Sequence, residues 1–163
     1  MTVRNYLEYV ANLMPSTETV FRLVSPDKLE WKPTEDSFTL GQQMAHIGGA
    51  LAVYGRGITS GEWGFSTVRQ RLVENRYTPS VSVDEAIATL QSNHELFKQL
   101  VGALSEEQFN NETVTAPQFP TPVPRWRVAM LGVEHHINHK AELFMSLKVL
   151  GVKVHTGHLY RGS

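Results

Sequence analysis

The chain predicts an all-α fold, a four-helix bundle, on three observations. Four long segments carry apolar residues at mixed three- and four-residue steps, the period of an amphipathic helix. Two of them open on capping boxes, Thr39 with Gln42 and Ser82 with Glu85, in which each side chain satisfies a free backbone amide of the other residue. No alternation of strand and helix signals appears, and no self-similar period of roughly 20–50 residues.

The first helix is expected over residues 4–24, with Tyr6, Leu7, Val10, Leu13, Met14, Val20, Phe21 and Val24 inward. Pro15 lies inside this pattern and predicts a kink or a break, because it removes a ladder donor and crowds the preceding turn. Ser25-Pro26-Asp27 starts a turn, and Leu29 to Pro33 is an extended connection whose Trp31 covers one end of the core. The second helix opens at Thr39 and carries Leu40, Met44, Ile47, Leu51 and Tyr54 inward to Ile58. His46 lies beside that stripe. Gly48 and Gly49 leave room there either for a ligand or for a closely packed helix.

Residues 59–81, with Gly61, Gly64 and Pro79 and no clear period, form a long connection with room for a short helical piece. Its basic stretch from Arg69 to Arg76 reads as solvated. The connection is long enough for the second and third helices to run parallel. The third helix follows Ser82 with Val83, Ile87, Leu90, His94, Phe97, Val101 and Leu104 in alternating four- and three-residue steps. His94 stands in the middle of that row, either as a core histidine hydrogen-bonded to a neighbour or as a pocket residue facing the same cavity as His46.

Ser105-Glu106-Glu107 caps one short turn. Four prolines then make residues 111–124 a second long, extended connection, and Pro124 is placed to begin the fourth helix. That helix carries Trp126, Met130, Val133, Ile137, Phe144, Leu147 and Leu150 and stops at Gly151 as its C-cap. Residues 1–151 are thus expected as one bundle, and residues 152–163 as a tail without helical pattern, its His155 and His158 exposed or serving as docking contacts.

Composition narrows the function classes. The 163 residues are 41% hydrophobic with a net charge of −1, enough for a stable core. Cysteine is absent, which excludes disulfides, thiolate ligands and a catalytic thiol. Any transition metal must be held by imidazole, carboxylate and water. Scattered Lys and Arg leave no nucleic-acid footprint, and no apolar run spans a membrane, so a cytoplasmic home without membrane or nucleic-acid partners is expected. H-E-x-x-H, G-x-S-x-G, the phosphate-binding loop and G-x-G-x-x-G are all missing, so protease, esterase, kinase and dehydrogenase readings lose their support.

What remains is histidine. His135 and His139 are four apart, which on a helix stacks both rings on one face about 6 Å of rise apart. A bare pair of this kind is as often a surface or core feature. With His46 from another helix, however, three nitrogens can share one ion and leave a coordination position open, the catalytic rather than the structural pattern. Glu142 shares the face of His135 and His139, where it can orient an imidazole, act as a base, or simply be exposed.

Trp31-Lys32-Pro33, Leu40 through His46-Ile47-Gly48-Gly49-Ala50, His135 to His139-Lys140-Ala141-Glu142-Leu143 and Leu150-Gly151 together resemble the DinB-like (YfiT-like) superfamily. That pattern has one His in the second helix and H-x-x-x-H in the fourth, matched here by His46, His135 and His139. It departs at Glu142, where Gln is usual, and at Ala141, where Gly is usual. The resemblance implies a four-helix bundle, often in up-down-down-up order and often dimeric, that binds zinc, nickel or a similar divalent ion. It also implies a transferase or isomerase acting on a small-molecule substrate with a low-molecular-weight thiol such as bacillithiol, mycothiol or glutathione. With no cysteine in the chain, the thiol has to arrive as a cosubstrate. Two other readings stay open: a non-catalytic stress-response protein that binds a ligand at the same site, and a metal-dependent hydrolase.

Overall fold

The computed structural model describes residues 1–162; Ser163, the end of the expected tail, lies outside the described residues. The chain is mostly helical, in the order α1 (Val3–Arg22), α2 (Leu40–Ser60), α3 (Val68–Arg76), α4 (Val83–Gly102), α5 (Glu106–Asn111), the strands β1 (Thr113–Val114) and β2 (Val123–Pro124), α6 (Arg125–Val149) and α7 (Thr156–Tyr160). A single 3-10 turn, Pro26–Lys28, follows α1.

The long helices begin and end where their caps dictate. Both capping boxes form, at Thr39 and Ser82. The first amides of α2 find further acceptors, Leu40 donating to the Trp31 carbonyl and Gly41 to that of Leu29, both at 2.9 Å. The last carbonyls of α2 are met by Arg125, whose Nη1 donates to the Ile58 oxygen at 2.7 Å. At the end of α6, Gly151 takes φ 79° just beyond the cap Leu150. There the Gly151 amide donates to Lys148 and the Val152 amide to Leu147, the paired bonds that a left-handed residue after a helix makes.

Four expectations meet a different local structure. Helix α1 runs through Pro15 without a break. Val10, Met14, Val20 and Phe21 on both sides of the proline are buried in one core, which outweighs one lost ladder bond. Pro124 is the N-cap rather than the first helical residue, because it pairs with Thr113 in a two-stranded antiparallel ribbon within the proline-rich connection. The short turn after Ser105 is the six-residue α5, held by a third capping box with Gln108. In the tail, α7 forms and packs on α1. Its cap is histidine: His155 Nδ1 accepts from the Gly157 amide and His158 Nδ1 from that of His155.

The principal helix contacts close a ring, α1 on α4, α4 on α2, α2 on α6 and α6 on α1. Directions follow from paired residues. Gly48 packs on Leu90 and Gly55 on Phe97, so residue numbers rise together in α2 and α4. They rise together again in α1 and α6, where the Tyr6 hydroxyl donates to the Ala129 carbonyl at 3.0 Å and Thr17 meets His136. They run opposite in α2 and α6, with Gln43 against His139 and Tyr54 against Gly132. Two parallel neighbours, α2 and α4, require a crossover, and residues 61–82 with α3 are that crossover.

Trp63 sits in the crossover with its ring buried against α2 and its Nε1 donating to the Thr115 carbonyl at 3.0 Å. A Cβ on Gly57 would lie 2.5–2.6 Å from three carbons of that ring. Gly57→Ala therefore forces the indole off its seat and should destabilise the fold by about 1–3 kcal/mol in urea unfolding. An unchanged midpoint would show that the ring has somewhere else to go.

Candidate metal centre

Helix α2 presents His46 two turns past its cap, and the antiparallel α6 presents His135 and His139 opposite it. The three ring centroids are 4.9, 4.6 and 4.4 Å apart pairwise. One ligand nitrogen from each ring lies within 4.8 Å of the other two, so the group can hold a metal ion. His46 Nε2 and His135 Nε2 are 3.0 Å apart. Tetrahedral coordination with bonds of 2.0–2.1 Å sets such nitrogens about 3.3 Å apart, so only a slight opening separates this pair from a shared ion.

The electrostatics suit a cation as well. Burial, followed by the proximity of the other imidazoles, depresses His46 to a pKa of about 3. Burial and His139 bring His135 down to about 4. Both rings are therefore neutral at pH 7 with lone pairs available to a metal. His135 Nδ1 is buried without a hydrogen-bond partner among the described residues.

The outer partners fix ring orientation. His139 Nδ1 donates to Glu142 Oε2 at 2.7 Å, leaving Nε2 for an ion. The Gln43 amide ties this pair to α2, donating to Glu142 Oε2 at 3.0 Å and to the His139 carbonyl at 3.2 Å. Asn75 of α3, itself buried, has its side-chain nitrogen 3.4 Å from His46 Nδ1. Half a turn of that amide presents its oxygen instead, the orientation that accepts a proton from Nδ1 when Nε2 carries a metal.

In front of the histidines lies a cavity of about 420 Å³, walled by Phe38, Tyr54, Trp63, Phe65 and Leu131 with a few polar groups between them. His94 is not among the residues lining it; its Nε2 is buried without a partner among the described residues. Sequence reasoning missed Asn75 and Gln43, whose roles depend on which elements meet α2. It also missed a second polar row on α6, one residue on from the ligands. There His136 Nε2 lies 2.8 Å from Thr17 Oγ1, and burial holds its pKa at about 3. Lys140, only 4% exposed, donates to Ser16 Oγ at 2.7 Å and to the Leu159 carbonyl of α7 at 3.0 Å. The sequence signal for that row was its spacing: His136, Lys140 and Leu143 repeat at helical steps on the face turned toward α1.

No helix is long and apolar enough to cross a membrane among the described residues. No curated protein matches the chain. The fold matches the crystal structure of a DinB-like protein, YjoA, from Bacillus subtilis with a TM-score of 0.71 and 18% identity, over 96% of this chain and 99% of that one. The family model of the DinB superfamily matches residues 9–143, a span holding all three histidines, the whole of α2 and most of α6. By that match, this chain belongs to the DinB superfamily.

Proposed function

We propose that the chain is a divalent-metal-dependent enzyme, with zinc or nickel held by His46, His135 and His139, that acts as a thiol-dependent S-transferase. The observation that carries this reading is the convergence of three imidazoles on one point that opens directly into an apolar-walled cavity. A divalent ion held there supplies Lewis-acid polarisation and lowers the proton affinity of a thiol that reaches it. The chain's own groups do the rest. Glu142 and Gln43 hold the His139 ring, Asn75 faces His46, and the aromatic walls keep water from the apolar part of the substrate. In the reaction the cosubstrate's sulfur forms a bond to the electrophilic carbon, the leaving group departs with its electron pair, and the thiol proton passes to solvent. The up-down-down-up bundle, its division at residue 151 and a homodimeric state belong to the same reading, supported for the helix order by the paired directions of α1 with α6 and α2 with α4.

The test is turnover of 1-chloro-2,4-dinitrobenzene with glutathione or bacillithiol by zinc- and nickel-loaded protein. Thiol-dependent product that disappears on chelation is expected. Metal binding without turnover would make the protein a ligand-binding stress-response protein instead, and ester hydrolysis without added thiol would make it a hydrolase.

A further inference from the structure

We propose that the cavity takes a substrate with a planar apolar body and one oxyanion group, a carboxylate or a phosphate, seated on Arg71. This deepens the reading above and rests on it for the cavity's being the substrate site.

The charge across the cavity is lopsided. Its α6 wall carries two carboxylates, Glu134 and Glu142, which turn an anionic group away from that side. Its α3 wall carries one cation, Arg71. Arg71 is half-buried, and its one ion-pair contact among the described residues is a long 3.9 Å approach to Glu74. It makes no side-chain hydrogen bond among them, whereas the neighbouring Arg76 is turned to Asp36 at 3.6 Å, away from this cavity. A guanidinium presents five donors in a flat fork that fits the two oxygens of a carboxylate or phosphate. Set at the edge of an apolar-walled cavity without a close partner, such a fork is a ready receptor for an anion. Arg71 also lines a smaller cleft together with His46, Phe38 and Asn75, which puts it at the metal end of the cavity.

The remaining surface specifies the body. Trp63 and Phe65 stand edge to face with centroids 6.2 Å apart, and Tyr54 meets Trp63 at 5.4 Å. Flat faces and edges of this kind favour a planar, ring-bearing ligand, and about 420 Å³ admits two fused rings with room for a second reactant. The anionic end then points to α3 and the apolar body lies toward Trp63, across the front of the histidines.

The experiment is isothermal titration of metal-free protein with 2-naphthoate, 2-naphthyl phosphate and the uncharged 2-naphthalenemethanol. At least one anion should bind about tenfold or more tightly than the alcohol, and Arg71→Met should erase that advantage while leaving the alcohol unchanged. The side showing the advantage identifies carboxylate or phosphate. Equal binding of all three, or an advantage that survives in Arg71→Met with its helix content intact, would overturn the proposal. Because no metal or thiol is present, the titration stands apart from the turnover test: loss of anion recognition leaves thiol transfer possible, and absence of turnover leaves Arg71 recognition intact.

Discussion

His46→Ala and His139→Ala should each lower bound divalent metal from one ion per chain to near none, with helix content and the cooperative melt retained. A site of three protein nitrogens has no spare ligand, so the two remaining imidazoles hold an ion only weakly. The fold should survive because both rings stand at a cavity edge rather than in the packed core, and truncation there extends space that already exists. Glu142→Ala removes a ring-orienting acceptor instead of a ligand, and should weaken metal binding about ten- to a hundredfold. Elemental analysis after dialysis reads all three. Full metal retention in both histidine variants would sink the ligand assignment.

Acid should unfold the metal-free protein well before its carboxylates titrate. His46, His135 and His136 have folded pKa values of about 3, 4 and 3, below the ordinary 6.5. As pH falls through 6.5 the unfolded chain takes up protons that the folded chain refuses. Stability is therefore lost from pH 6.5 downward, and the loss levels off only near the folded values. At pH 5 each group contributes a loss of up to about 2 kcal/mol, roughly 4–6 kcal/mol for the three together. That rivals the whole stability of a typical domain, about 5–15 kcal/mol. Urea titrations at pH 7.5 and 5.0 measure it, and His136→Gln should recover about a third of the difference. Equal stability at the two pH values would show that these rings protonate freely in the folded state.

Much of this architecture was legible because its signals are local. Thr39 with Gln42 and Ser82 with Glu85 state their helix starts within four residues, and Gly151 states a helix end through its own φ. The histidines were legible because H-x-x-x-H is a statement about one helix face. Features that depend on what packs against what were not. Pro15 argues for a kink or a break in isolation, and only the shared core on either side of it keeps α1 continuous. Helix α3 has no apolar period of its own, so nothing in Val68 to Arg76 announced that Asn75 and Arg71 would roof the site; the basic stretch read instead as solvated. The β1–β2 ribbon is two residues a side, too short for an alternating pattern. The tail's helix is capped by imidazoles, a choice that standard N-cap preferences do not flag.

The parallel run of α2 and α4 obliges the polypeptide to travel back along the molecule before α4 can begin, and that return journey is where Trp63, Phe65, Arg71 and Asn75 reside. On the proposed reading, cation grip falls chiefly to two rigid rods and guest selection chiefly to residues 61–82. Swapping only that return segment between relatives should transplant guest preference while the ion stays put, which makes the topology itself a device for diversification.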